Sequence, residues 1–278
     1  MMRVSLLQLD SGPDRAANLA QIEAGLADAA ARGSDLVLLP EACNYRGPLR
    51  ADMIEDDEGP TVTLARRFAA SAGTRVVIGG MWVPGADPRH PANCSLLIGR
   101  DGKIAAAYRK VHLFQLHADG QRDQDEAAYT TAGDELVTAA CGEFTLGLSI
   151  CYDLRFPELY RALTAAGATL LCVPANFTLH TGRDHWEPLL RARAIENLAY
   201  VAAPAQARTD PGGTAAYGHS MIVDPWGTII CCAPDEVTVV TADLDSERIR
   251  GCRRALRALD DVRPDVYARE VRREAADA

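Results

Sequence analysis

The stretch FTLGLSICYDLRFPE, residues 144–158, decides the reading of this chain. Phe144, Leu146, Leu148 and Ile150 alternate with Thr145, Gly147 and Ser149. The segment therefore predicts a strand with one strongly apolar face and small residues on the other. The apolar run stops at Cys151. Tyr152, Asp153, Leu154 and Arg155 follow, then Pro157, which suits the first turn of a helix. Helical spacing continues to about Ala166, with Leu159, Leu163 and Ala166 on one stripe. A cysteine at such a strand-to-helix turn projects from the sheet end beside free backbone N–H groups, where an anion can be held. The competing reading of Cys151 is a small buried hydrophobe, the usual fate of a free cysteine.

Outward from this stretch, strands and helices interleave. Upstream, strands are predicted over 3–9, 35–40, 75–80, 93–99, 103–108 and 136–140. Helices are predicted over 14–31, with Ala17, Ile22, Leu26 and Ala29 as a buried stripe, and over 60–72. Residues 112–133 read as a long polar loop, and loops of that length in a compact domain are often functional. Downstream, strands are predicted over 169–173, 200–206, 219–224, 228–232 and 237–243, and helices over 181–197 and 246–258. Asp210-Pro211-Gly212-Gly213 reads as a flexible connection. The pattern is α/β, a sandwich with mixed strand directions, because hairpins and crossovers both occur. One domain is expected over 1–278, with a polar tail from about 260, and no internal repeat is visible.

Composition narrows the function classes. Lys and Arg number 29 against 38 Asp and Glu, a net charge of −9 with no basic tract, which argues against nucleic acid and anionic membranes as partners. No segment approaches the ~18 apolar residues of a membrane span, and the start of the chain lacks a signal peptide pattern, so a cytoplasmic protein is expected. The eight cysteines include no C-x-x-C pair and are expected as free thiols. The histidines do not combine with them at zinc-binding spacings, so no metal is expected.

Glu41, Lys110 and Cys151 share one position type. Each follows an apolar strand within a few residues, and functional groups gather at the carboxyl ends of strands. If those strands are neighbours, the three side chains converge. A carboxylate can then take the thiol proton, and an ammonium lowers the cost of a thiolate or an oxyanion. Plain exposed strand-end charges are the alternative.

The chain also resembles a known family. PEACNYRG at 40–47, YRKVHLF at 108–114 and ICYDLRFPEL at 150–159 resemble the three signatures of the nitrilase, or carbon–nitrogen hydrolase, superfamily. TGRDHWEPLLRARAIEN at 181–197, YGHSMIVDPWGTI at 217–229 and VRPDVY at 262–267 are similar to the branch containing deaminated-glutathione amidase and omega-amidase. The resemblance runs from about Val4 to Tyr267. It implies a four-layer αββα sandwich with two mixed sheets, commonly assembled into homodimers or larger even homo-oligomers. By position it makes Glu41 the general base, Lys110 the catalytic lysine and Cys151 the nucleophile. Glu126 best matches the family's second glutamate. The loop around it departs from the usual pattern, with Gln115, Ala127 and Ala132 where an acid, a serine and a proline are common.

The function this implies is a cofactor-independent amidase. It would convert a small linear amide, carrying a carboxylate, to acid and ammonia through a cysteine thioester, with Lys110 and the Tyr152 N–H holding the oxyanion. A carbamoylase or nitrilase of the same superfamily, and a catalytically silent interaction scaffold, are the alternatives. Arg155 is expected either to bind a substrate carboxylate or to pair with Glu158 or Asp153. Phe177, Thr178 and Thr181 follow a strand end and are expected to line the pocket, with ordinary loop packing as the alternative. His185, Trp186, Arg191, Arg193 and Glu196 read as packing and ion-pairing residues of one helix. His112 reads as a loop anchor.

Overall fold

The computed structural model describes residues 1–87, 89–116, 124–207 and 215–269. The connection expected at 210–213 lies outside the described residues, as do 117–123 of the long polar segment and the chain beyond 269.

The chain runs β1 (Met2–Gln8), α1 (Arg15–Ala31), β2 (Leu36–Leu38), α2 (Pro60–Ala72), β3 (Arg75–Asp87), β4 (His90–Ile98), β5 (Ile104–Arg109), β6 (Gln115–Leu116), β7 (Gln124–Asp125), β8 (Thr138–Cys141) and β9 (Phe144–Leu148). It continues through α3 (Pro157–Ala165), β10 (Leu170–Cys172), α4 (Leu179–Asn197), β11 (Tyr200–Ala203), β12 (Met221–Val223), β13 (Ile229–Cys232), β14 (Thr238–Leu244), α5 (Ser246–Ala255) and α6 (Pro264–Tyr267). Two six-stranded sheets form, in the orders β14-β1-β2-β3-β4-β5 and β13-β12-β11-β10-β9-β8.

Both sheets are mixed, and their direction patterns match. From β14 to β5 the pairings are antiparallel, parallel, parallel, antiparallel, antiparallel. From β8 to β13 the same series recurs. The two halves are therefore a topological repeat that sequence inspection misses. Strand order is set by apolar patterning, which tolerates wholesale change of residue identity. The last strand, β14, pairs antiparallel with β1 at the edge of the first sheet and brings a late segment of the chain back to its first strand.

Alternation along the strands builds the layers. Val4 and Leu6, with Leu36 and Leu38, join Leu146, Leu148 and Leu170 in the core between the sheets. Leu7, Val37 and Leu39 point the other way, onto Ile22 and Leu26 of α1 and Val62 and Ala65 of α2. On the far side, Leu159 and Leu163 of α3 and Trp186 and Leu190 of α4 cover the second sheet. The result is helices, sheet, sheet, helices. With both faces covered, these strands read as unbroken apolar runs. Truncating one of their buried leucines to alanine would cost about 2–5 kcal/mol.

Some expectations shift. Ala17 is exposed, and Asn18 takes its place on the buried stripe of α1, donating to the Gly12 and Asn44 carbonyls at 2.8 and 2.9 Å. A satisfied amide can sit where an apolar residue was expected. Ala166 lies beyond α3 and is exposed, while Tyr160 and Thr164 share the buried face with Leu159 and Leu163. α4 begins two residues earlier than expected, because Thr178 caps it by accepting from the Thr181 N–H. Among the described residues, no helix is long and apolar enough to cross a membrane.

Candidate active site

Cys151 stands where β9 ends and a 3₁₀ turn, Cys151–Arg155, begins. Its φ of +48° lies in the left-handed region, which disfavours a residue with a Cβ by roughly 1 kcal/mol or more. Several contacts hold it there. The Cys151 N–H donates to the Pro174 carbonyl at 2.9 Å. Asp153, fully buried, accepts from the Ile150 N–H at 2.8 Å and from the Tyr108 hydroxyl at 2.7 Å. It also accepts from the His112 N–H at 3.1 Å and meets His112 Nδ1 at 2.7 Å. The His112 ring stacks on Phe156 with centroids 3.6 Å apart. From α4, Arg193 donates twice to the Leu154 carbonyl, at 3.0 and 2.8 Å. His112 thus anchors the loop as expected, and Arg193, expected to pack and to pair ions, pairs with Glu196 at 2.9 Å and also holds the turn. The Asp153 N–H makes the first hydrogen bond within the turn itself, to the Ile150 carbonyl. The Tyr152 N–H therefore precedes the hydrogen-bond ladder, as a first-turn donor should.

Glu41 follows β2 and bridges to Gly80 of β3. Its carbonyl accepts from Gln206 Nε2 at 2.9 Å. Lys110 follows β5, and its N–H donates to the Asn93 carbonyl at 2.8 Å. Glu126 opens a 3₁₀ turn after β7, and its N–H donates to the Phe114 carbonyl. Their head groups meet. Lys110 Nζ donates to Glu41 Oε1 at 3.1 Å and to Glu126 Oε2 at 2.7 Å. Glu41 Oε2 accepts from the Asn176 N–H at 2.9 Å, and Glu126 Oε2 from the Phe114 N–H at 2.8 Å.

The three strand ends are not neighbours, which corrects the premise drawn from spacing. β3 and β4 separate β2 from β5, and β9 belongs to the other sheet. The groups converge because the sheets stack face to face, so Glu41 and Lys110 meet Cys151 across the seam between them. All three line one cavity of about 820 Å³. Burial and the neighbouring Glu41 push the Cys151 thiol well above its ordinary range, against a weaker downward pull from Lys110. Burial lowers the proton affinity of Lys110, but Glu41 and Glu126 together outweigh it and hold the ammonium charged. The resting state is thus a neutral thiol beside a fixed cation and two carboxylates.

Glu126, Tyr152, Arg155, Phe177, Thr178 and Thr181 line the same cavity. Thr178 and Thr181 join hydroxyl to hydroxyl at 2.8 Å. Arg155 pairs with neither Glu158 nor Asp153. Its guanidinium lies 5.1 Å from the Phe177 ring and 5.8 Å from that of Tyr152, and Nη1 is 3.2 Å from His185 Nδ1. Asp153 is already committed to the turn. Among the described residues, no carboxylate lies within ion-pair distance of Arg155.

Sequence reading missed other lining residues. Asn93 of β4 is buried and donates to Glu41 Oε1 at 2.9 Å and to Glu126 Oε1 at 3.2 Å. An asparagine inside the apolar run PANCSLLI was the available signal, since a polar side chain buried in a strand needs partners. Tyr45, Trp82 and Tyr129 form an aromatic part of the wall, with ring centroids 6.0 and 6.5 Å apart.

The sequence profile of the carbon-nitrogen hydrolase family matches residues 3–254. The chain is 36% identical over 273 residues to the deaminated glutathione amidase of Homo sapiens, covering 95% of this chain and 83% of that protein. It is 33% identical over 273 residues to the omega-amidase NIT2 of Homo sapiens, covering 98% of each. A mutant amidase from Nesterenkonia sp. AN1 was solved with the acetamide moiety of fluoroacetamide added covalently at its active-site cysteine. It matches with a TM-score of 0.79 at 26% identity, over 96% of this chain and 95% of that one. With a profile match over most of its length and two amidases above 30% identity, the chain belongs to the carbon-nitrogen hydrolase family, within the nitrilase superfamily.

Proposed function

We propose that this chain is an amidase that cleaves a small linear amide bearing a carboxylate, through a thioester on Cys151. The observation that carries the reading is the buried Lys110 ammonium, shared by Glu41 and Glu126 at the wall of the cavity that holds Cys151. A neutral thiol is a weak nucleophile, so its proton must leave as it attacks. Glu41 takes that proton while the Cys151 sulfur bonds to the amide carbon. The carbonyl oxygen becomes an oxyanion, received by Lys110 Nζ and the Tyr152 N–H. Both donors are fixed before the charge develops, and losing one such donor typically costs roughly 3–4 kcal/mol in barrier. Glu41 then passes its proton to the nitrogen, the C–N bond breaks, and the amine or ammonia departs. A water, deprotonated by Glu41, attacks the thioester. The C–S bond breaks and the acid leaves, while the proton returns from Glu41 to sulfur. Glu126 shares the charge of Lys110 and keeps it from neutralising the base completely.

The substrate carboxylate rests on Arg155. A guanidinium in a cavity wall, stacked over Phe177 and without an acidic partner among the described residues, suits an anionic substrate group. The names of the two relatives, both amidases, support the reaction type.

The test is product release from deaminated glutathione, alpha-ketoglutaramate, carbamoyl amino acids and simple nitriles, with intact-mass analysis of the enzyme. The expected result is turnover of the first two, an acyl adduct on wild type, and neither turnover nor adduct with Cys151→Ala. Turnover without the thiol, or carbon dioxide released from carbamoyl substrates in preference to amide cleavage, would overturn the reading.

A further inference from the structure

Asn93 Nδ2 stands between the two glutamates, 2.9 Å from Glu41 Oε1 and 3.2 Å from Glu126 Oε1. An amide nitrogen has two hydrogens, so each carboxylate takes one. The Asn93 carbonyl meanwhile receives the Lys110 N–H at 2.8 Å. One residue therefore touches all three members of the charge cluster, two by its side chain and one by its backbone. Its Oδ1 is buried with no hydrogen-bond partner and sits over Gly80. A Cβ at Gly80 would come within 2.9 Å of that oxygen and 3.2 Å of Glu41 Cγ, so the glycine leaves room for the amide. The flipped amide would aim its oxygen at two carboxylates, so the network fixes the orientation seen.

We infer that Asn93 is a positioning residue for the hydrolysis, an uncharged clamp that keeps Glu41 and Glu126 ionised and in place on either side of Lys110. This rests on the reading of Glu41 as base. Two carboxylates around one ammonium leave an excess negative charge in a buried site, and like charges that share a site push one of them to hold a proton. A neutral donor facing both stabilises their ionised forms without offering a proton of its own at any working pH. The titratable groups around the clamp are Glu41, Lys110, Glu126, Cys151 and the Tyr129 phenol, which burial and the nearby Glu126 push above its usual range.

The test compares wild type, Asn93→Leu and Asn93→Asp, after Cys151→Ala has been shown inactive. In Asn93→Leu the donor is gone, both glutamates bind protons more tightly, and the acid limb of kcat/KM moves up by about one pH unit. kcat falls about 10- to 100-fold, and KM stays within about threefold of wild type. In Asn93→Asp a donor survives only while the new acid is protonated, so activity gains a limb that falls as pH rises through neutrality. Cys151 alkylation by iodoacetamide, followed by mass, reads the same shifts without turnover. It also separates this inference from the amidase reading, which fails if Cys151→Ala still turns over. Wild-type pH profiles in both variants, whatever their kcat, would reduce Asn93 to packing and overturn the inference.

Discussion

Lys110 stands closer to Glu126 than to Glu41, 2.7 Å against 3.1 Å. The ammonium leans on the carboxylate that the Phe114 N–H also holds. Glu41, the more distant partner, is the carboxylate beside the Cys151 thiol and the base of the proposed reaction.

Glu126→Gln keeps the shape and removes the charge. Lys110 then falls wholly to Glu41 and weakens it as a base. The acid limb of kcat/KM should move down in pH, the opposite direction to Asn93→Leu, and kcat should fall about 10- to 100-fold. An unmoved limb with near wild-type kcat, in a buffer series of constant ionic strength, would make Glu126 a plain loop charge.

Arg155→Met keeps the stem length and the contact with Phe177 but loses the cation. A charge-assisted hydrogen bond contributes about 1.5–3 kcal/mol, so KM for a carboxylate-bearing amide should rise about 10- to 100-fold with kcat little changed. The matching amide without a carboxylate should bind both proteins alike. Equal losses on both substrates would assign Arg155 to structure.

How much of this was legible depends on how local the signal is. The turn at Cys151 was plain because alternation ends there and Pro157 restarts the chain as a helix. α2 was placed at its observed ends because Pro60 opens it and Gly73, with φ +63°, closes it. Glu41, Lys110 and Cys151 stand out by their strand-end positions and by motif resemblance, Glu126 by resemblance alone, and all four meet in one cavity. That Cys151 lies in the opposite sheet from Glu41 and Lys110 was not legible, since strand pairing is a long-range property. Nor was the recurrence of one strand pattern in two sheets. Asn93 and the N–H of Asn176 were missed because their role exists only once β4 and the segment after β10 approach Glu41 from different directions.

Asp153→Asn tests the clamp behind the nucleophile. Asp153 is surrounded by donors from Ile150, Tyr108 and His112. An amide nitrogen placed among them leaves at least one donor unpaired in a fully buried site. The expected loss is about 2–4 kcal/mol in urea unfolding. Because the turn carries Cys151 and Tyr152, kcat should fall while KM holds. Equal stability to wild type, with unchanged kcat, would contradict the positioning role of this carboxylate.

The last expectation concerns pH and stability at Lys110. Its folded pKa lies above the ordinary value of 10.5, burial opposing the charge and Glu41 and Glu126 more than reversing it. A group raised on folding contributes its full stabilisation below the unfolded pKa and loses it only as pH rises through the folded value. In wild type, Lys110 therefore adds nothing to the pH dependence of stability across the acid and neutral range. Lys110→Met changes the sign of the problem. Glu41 and Glu126 then face each other without a cation, and one keeps a proton in the folded state, above its unfolded pKa of about 4.3. That variant should be about 3–5 kcal/mol less stable than wild type near pH ~8. The gap should narrow steadily as pH falls toward ~5, because the folded state now binds the extra proton. Urea unfolding of both proteins at several pH values measures this directly, and parallel stability curves would show that the two carboxylates do not share one charge-coupled site.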